Sequence, residues 1–250
     1  MRVEVYPSSQ AAGAAAAQAA GEEMIRLCKT RDLIGMIFAT GASQIDTIEA
    51  LTAIERLPWN QVLGFHMDEY VGIAADHPAS FRRYLRERLT EKVPMKEFYE
   101  IEGDMRDLER TRRQYIEELR SVDPQLCLLG IGENGHLAFN DPHVADFQDP
   151  VDMRVVHLDR VCRQQQAAEG WFTSIEQVPE SAITLTIPAL LRVPRLIVSV
   201  PGARKANIVR RTFFEEISTK CPATVLRTHP NATIFLDAQS ASELKNVPGL

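Results

Sequence analysis

Three short, almost uninterrupted apolar runs set the tightest limit on the fold: Leu33–Ala39 (LIGMIFA), Leu126–Ile131 (LCLLGI) and Arg195–Val200 (RLIVSV). A strand with one wet face alternates apolar and polar residues. These runs do not alternate, so both of their faces must be covered. Gln61–Met67 (QVLGFHM) reads as a further buried strand and Thr233–Asp237 (TIFLD) as the last one; Val3–Val5 suits a short first strand, and Arg154–Leu158 is a weaker one. Helical patterns lie between them. One runs from the Pro7-Ser8-Ser9 start signal to about Lys29, and others cover Gln44–Leu57, Ser80–Lys92, Asp104–Ser121, Arg160–Trp171, Thr186–Arg192 and Ala203–Glu215. Strands and helices alternate throughout. The expected fold is therefore α/β, a doubly wound, mostly parallel sheet with helices on both faces, Rossmann-like. With no repeat and no Pro/Gly linker, one domain over residues 1–250 accounts for the chain.

Composition narrows the function. The net charge is -6 and no long basic run occurs, which argues against nucleic acid as a partner. An anion would have to be held by local donors: helix starts, turn amides and a few placed cations. No apolar stretch reaches the length of a membrane span, and the start of the chain lacks the apolar core of a signal peptide. The four cysteines, Cys28, Cys127, Cys162 and Cys221, have neither metal-ligand nor redox spacing. The reading is a cytoplasmic protein with free thiols.

In open parallel sheets, ligands sit at the carboxyl ends of the strands. Four polar loops follow predicted strands: Thr40–Ser43, Asp68–Pro78, Gly132–Pro142 and Pro201–Lys205. Thr40-Gly41-Ala42-Ser43 has the tight turn and free amides of a phosphate cradle, though such turns also serve as plain connectors. Asp68 and Glu69 stand at a strand end, where a carboxylate can act as a base; a cap or surface salt bridge is the competing explanation. Gly130, Gly132 and Gly135 surround Glu133, Asn134 and His136, a titratable group among residues that allow close backbone approach. Asp141, five residues on, is placed to orient the imidazole. Lys205 offers a cation near a helix start. His229 reads as structural, and the histidines form neither a metal pattern nor a Ser/His/Asp arrangement. Acid–base chemistry on a phosphorylated substrate fits this set.

The residues also carry a resemblance. MDEYVG (67–72), DHPASF (76–81), GIGENGHLAFNDP (130–142), QVPESAITLTIPALL (177–191) and GARKA (202–206) resemble the glucosamine-6-phosphate deaminases, in order and across nearly the whole chain. The Gly-rich His motif alone is less specific, because 6-phosphogluconolactonases carry a related one. The resemblance implies conversion of glucosamine 6-phosphate to fructose 6-phosphate and ammonia without metal or organic cofactor. It implies Asp68 as the base at C2, and His136 in ring opening with Asn134 and Asp141 beside it. Thr40, Gly41, Ala42, Ser43, Glu69, Gly135 and Lys205 would contact substrate. Asp141 stands where the family usually has Glu. The family's usual arginine is missing near Gly170-Trp171-Phe172, and Arg163 is the substitute the sequence offers. A basic residue of the allosteric members is replaced near Val156 and the tail is shorter, so activation by an acetylated sugar phosphate is not expected. A homo-oligomer is left open.

Three readings follow: a deaminating isomerase for glucosamine 6-phosphate or its galacto epimer, a sugar-phosphate lactone hydrolase, and a non-catalytic sugar-phosphate sensor. MDEY favours the first, because lactone hydrolysis needs no base at C2. A sensor would want a DNA-binding helix pair, and none is evident.

Overall fold

A computed structural model describes residues 1–168 and 170–244. Its centre is a seven-stranded sheet made of β1 (Arg2–Tyr6), β2 (Ile34–Phe38), β3 (Val62–His66), β5 (Glu97–Tyr99), β6 (Leu126–Leu129), β9 (Arg195–Val200) and β10 (Ala232–Asp237). The order across the sheet is β1-β10-β9-β6-β2-β3-β5. Every pairing in it is parallel.

The continuous apolar runs explain themselves in this sheet. Ile34, Met36 and Phe38 of β2 and Leu126 and Leu128 of β6 enter one core layer. Ile37, Cys127 and Leu129, the alternate residues, enter the other. Side chains one apart point to opposite faces, so a strand with two dry faces must be apolar at every position. Helices α1 (Ser9–Cys28), α2 (Ile45–Ala53) and α3 (Phe81–Leu85, widening to Thr90) cover the first face. Helices α4 (Leu108–Val122), α6 (Ile187–Leu191) and α7 (Ala206–Phe214) cover the second. Ser8 caps α1 by accepting from Ala11 N at 3.2 Å, which is the start signal read from Pro7-Ser8-Ser9. The doubly wound α/β expectation holds.

Four details differ from the sequence reading. Asp68–Tyr70 is not loop but a short strand, β4; it joins β8 (Ser181–Leu185) and β7 (Met153–His157) in a separate antiparallel sheet. The expected strand at Arg154–Leu158 thus belongs to this small sheet rather than the central one. Glu97–Tyr99 and Ser181–Leu185 were not anticipated as strands; the first has three residues and the second sits inside a motif read only as a motif. The helix expected over Gln44–Leu57 opens as a 3-10 turn at Ala42–Gln44 and stops at Ala53.

Two features of this topology place the site. From β2 the chain winds outward to β3 and β5, then returns to β6 on the other side of β2. The loops after β2 and β6 therefore diverge, and a crevice opens between them. Met67 is the corner where the chain leaves the parallel sheet, its carbonyl accepting from Leu185 N at 2.7 Å. Asp68 is the first residue past that corner.

Candidate active site

A cavity of about 380 Å³ opens at the carboxyl ends of the strands. All four loops singled out in the sequence reach it, through Thr40–Ser43, Asp68, Gly130–Gly132 with His136, and Pro201–Lys205. The loops after β2 and β9 use one device. Gly41 has φ 91° and Gly202 φ 97°, each followed by a 3-10 turn that leads into a helix. Glycine adopts these angles at little cost. The turns closed by Gln44 N to Gly41 O and Lys205 N to Gly202 O aim helix starts at the cavity from two sides. Gly202 N–H itself is taken by the Asp237 carboxylate at 3.0 and 3.1 Å.

Asp68 lines the cavity yet is only 6% exposed. Burial first, and the neighbouring Glu69 charge second, push its carboxyl well above the ordinary carboxylate range. A carboxylate held in this way is a stronger base than an exposed one. Behind it, His66 is fully buried and neutral, its pKa drawn down to about 3 by burial. Its Nε2 accepts from Ile101 N at 2.7 Å, so the ring proton sits on Nδ1.

His136 also lines the cavity, and its Nδ1 is engaged by Asn134 and Asp141, which do not line it. Asn134 Oδ1 lies 2.9 Å and Asp141 Oδ1 3.1 Å from that nitrogen. Asn134 Nδ2 donates to the same Asp141 oxygen at 2.6 Å, and Asn134 Oδ1 accepts from His136 N at 3.0 Å. Asn134 thus ties ring, backbone and carboxylate into one unit. Asp141 is fully buried. Burial opposes its charge, but the His136 ring, with Asn134 and the Cys162 thiol, outweighs burial and holds its pKa at about 2. Asp141 is therefore an anion at neutral pH, placed to fix the tautomer of His136. The shorter side chain still reaches the ring.

Three residues expected at the substrate do not line the cavity. Glu69 is fully buried, and its carboxylate accepts from Tyr70 N, Phe81 N, Arg82 N and Ser80 Oγ at 2.8–3.1 Å. Arg82, itself 3% exposed, adds an ion pair at 3.4 Å. Glu69 holds the segment that follows Asp68. Gly135 turns away: its carbonyl accepts from Ala223 N, and Cys221 occupies the space of a side chain. Arg163 gives its guanidinium to the carbonyls of Val178 and Ile175 at 3.1 and 2.9 Å. Helix α5 (Arg160–Ala168) sends Gln165 and Gln166 to the cavity and buries Cys162 beside them; Arg163 falls on another face. Thr40, Gly41, Ala42, Ser43 and Lys205 do line it. Arg204, Gln166 and Trp171 line it as well and were missed. Arg204 stood in view beside Lys205; the glutamines carry no distinguishing pattern.

Among the described residues no group of three His, Cys, Asp or Glu side chains is arranged for a metal, and no helix is long and apolar enough to cross a membrane.

Comparison with known proteins points the same way. The family model described as glucosamine-6-phosphate isomerases/6-phosphogluconolactonase matches residues 7–235. A glucosamine-6-phosphate deaminase of Geobacillus sp. (strain WCH70) is 35% identical over 212 residues, 82% of each chain. One of Bacillus cereus (strain G9842) is 34% identical over 221 residues, 88% of this chain and 81% of its own. The solved structure of a monomeric glucosamine-6-phosphate deaminase superposes with a TM-score of 0.88 at 28% identity, covering 97% of this chain and all (100%) of that one. A 6-phosphogluconolactonase from Thermotoga maritima shares the fold, with a TM-score of 0.77 at 19% identity over 94% and 99% of the two chains. The chain belongs to the family of glucosamine-6-phosphate isomerases and 6-phosphogluconolactonases.

Proposed function

We propose that this chain is a glucosamine-6-phosphate deaminase, converting glucosamine 6-phosphate and water to fructose 6-phosphate and ammonia. The observation that carries the reading is the meeting, in one cavity, of a desolvated base, Asp68, and a carboxylate-backed imidazole, His136. His136 moves a proton at the ring oxygen and opens the sugar. Asp68 takes the proton from C2 of the open aldehyde and returns it at C1. The resulting 2-imine adds water and expels ammonia, which balances the reaction. Thr40–Ser43 and Lys205 hold the phosphate through amides, hydroxyls and charge. All of these groups come from one chain. A cytoplasmic setting suits the four free thiols and a phosphorylated substrate.

The test is ammonia release from glucosamine 6-phosphate and galactosamine 6-phosphate, run beside hydrolysis of 6-phosphogluconolactone. Ammonia from the gluco epimer is the expected result. Lactone turnover with no ammonia from either amino sugar would overturn the assignment.

A further inference from the structure

The segment Gly170-Trp171-Phe172 carries no cation, yet the cavity has one beside Lys205. Arg204 lines it on the turn that opens α7, next to Lys205. Its Nε lies 3.4 Å from Glu133 Oε1, on the loop after β6. Both partners are partly solvated, the side chains 62% and 34% exposed, so the pair is weak. It is also badly made: 3.4 Å is long for a charge-assisted bond, and Glu133 Oε1 is buried with no hydrogen-bond partner. The guanidinium is thus parked against a carboxylate that satisfies it poorly, at the rim of a cavity bounded by two helix starts.

We propose that Arg204 is a second phosphate-binding cation, and that Glu133 restrains it in the empty site and so sets the affinity for phosphate. Substrate phosphate, a dianion that takes two parallel N–H donors, displaces Glu133 from the guanidinium. Glu133 then turns to solvent. The inference rests on the sugar-phosphate reading of the cavity and names the residues that tune it. Lys205 provides charge on the same turn, whereas Arg204 adds directional, bidentate recognition.

The experiment titrates wild type, Arg204→Ala, Arg204→Lys, Glu133→Gln and the double variant with inorganic phosphate, read by the fluorescence of Trp171 at the cavity wall. Steady-state ammonia release is measured in parallel. Arg204→Ala is expected to weaken phosphate and raise KM roughly tenfold to hundredfold, the loss of a hydrogen bond to a charged group, with kcat little changed. Arg204→Lys falls between. Glu133→Gln tightens phosphate by roughly two- to fivefold, the size of an exposed ion pair. In the Arg204→Ala background Glu133→Gln has no further effect. Unchanged phosphate affinity in Arg204→Ala overturns the proposal, as does an equal Glu133→Gln effect in both backgrounds. If wild type releases no ammonia while the phosphate titrations behave as stated, the assigned reaction fails and the role of Arg204 stands.

Discussion

Gly132 and His136 share one volume. A side-chain carbon on Gly132 would lie 2.2 Å from both Cε1 and Nε2 of the His136 ring, and Gly132 N–H donates to the His136 carbonyl at 3.0 Å. The glycine is the floor on which the imidazole lies.

Gly132→Ala is therefore expected to tilt the ring away from Asn134 and Asp141 while the backbone survives. Activity should fall by about a hundredfold or more, as when a positioned acid–base group is lost. Ammonia release and a thermal melt check it. Near-wild-type turnover would mean that the ring does not work from this position.

Asp141→Asn tests the anion behind the ring. Asp141 has its folded pKa lowered from 3.8 to about 2, so its contribution to stability is present above about pH 4 and is lost as pH falls toward 2. The variant should be less stable than wild type by about 2 kcal/mol at neutral pH, and the gap should close between about pH 4 and 2. Denaturant unfolding at several pH values reads this directly. Turnover should fall as well, because an amide no longer enforces the tautomer.

Asp68→Asn separates chemistry from stability. Turnover should drop by about 10²–10⁴-fold with substrate still bound, because the proton at C2 has no other acceptor. The sign for stability is opposite to that of Asp141. A carboxyl whose folded pKa is raised destabilises the fold once pH exceeds its unfolded value, since folding must bury the charge. Replacing it with a neutral amide should raise Tm at pH 7 by a few degrees, an exchange of activity for stability. A lower Tm would show that the Asp68 charge is compensated in the folded state.

The buried runs LIGMIFA, LCLLGI and RLIVSV were legible as strands because a two-faced dry strand leaves an unmistakable pattern. Gly132–His136, Asp141 and the turn at Gly41 were legible for a related reason, since each lies close in sequence to its partners. The antiparallel sheet of β4, β7 and β8 was not. Its strands are short, and Asp68-Glu69-Tyr70 is polar in sequence although all three residues are buried in the fold. Glu69 read as a substrate contact because nothing local reveals the four donors that converge on it from residues 70 and 80–82.

What the sequence determined by itself was everything governed by local periodicity and short loops: the α/β layers, the strand ends where polar residues gather, and the unit of Asn134, His136 and Asp141. What only the tertiary structure decided was which neighbours of those residues face the ligand. Arg163 and Arg204 are equally basic on paper. A helix turn carries Arg163 to the carbonyls of Ile175 and Val178, while a 3-10 turn after a left-handed glycine carries Arg204 to the cavity. The difference is one of direction in space, and direction is set by how distant segments pack.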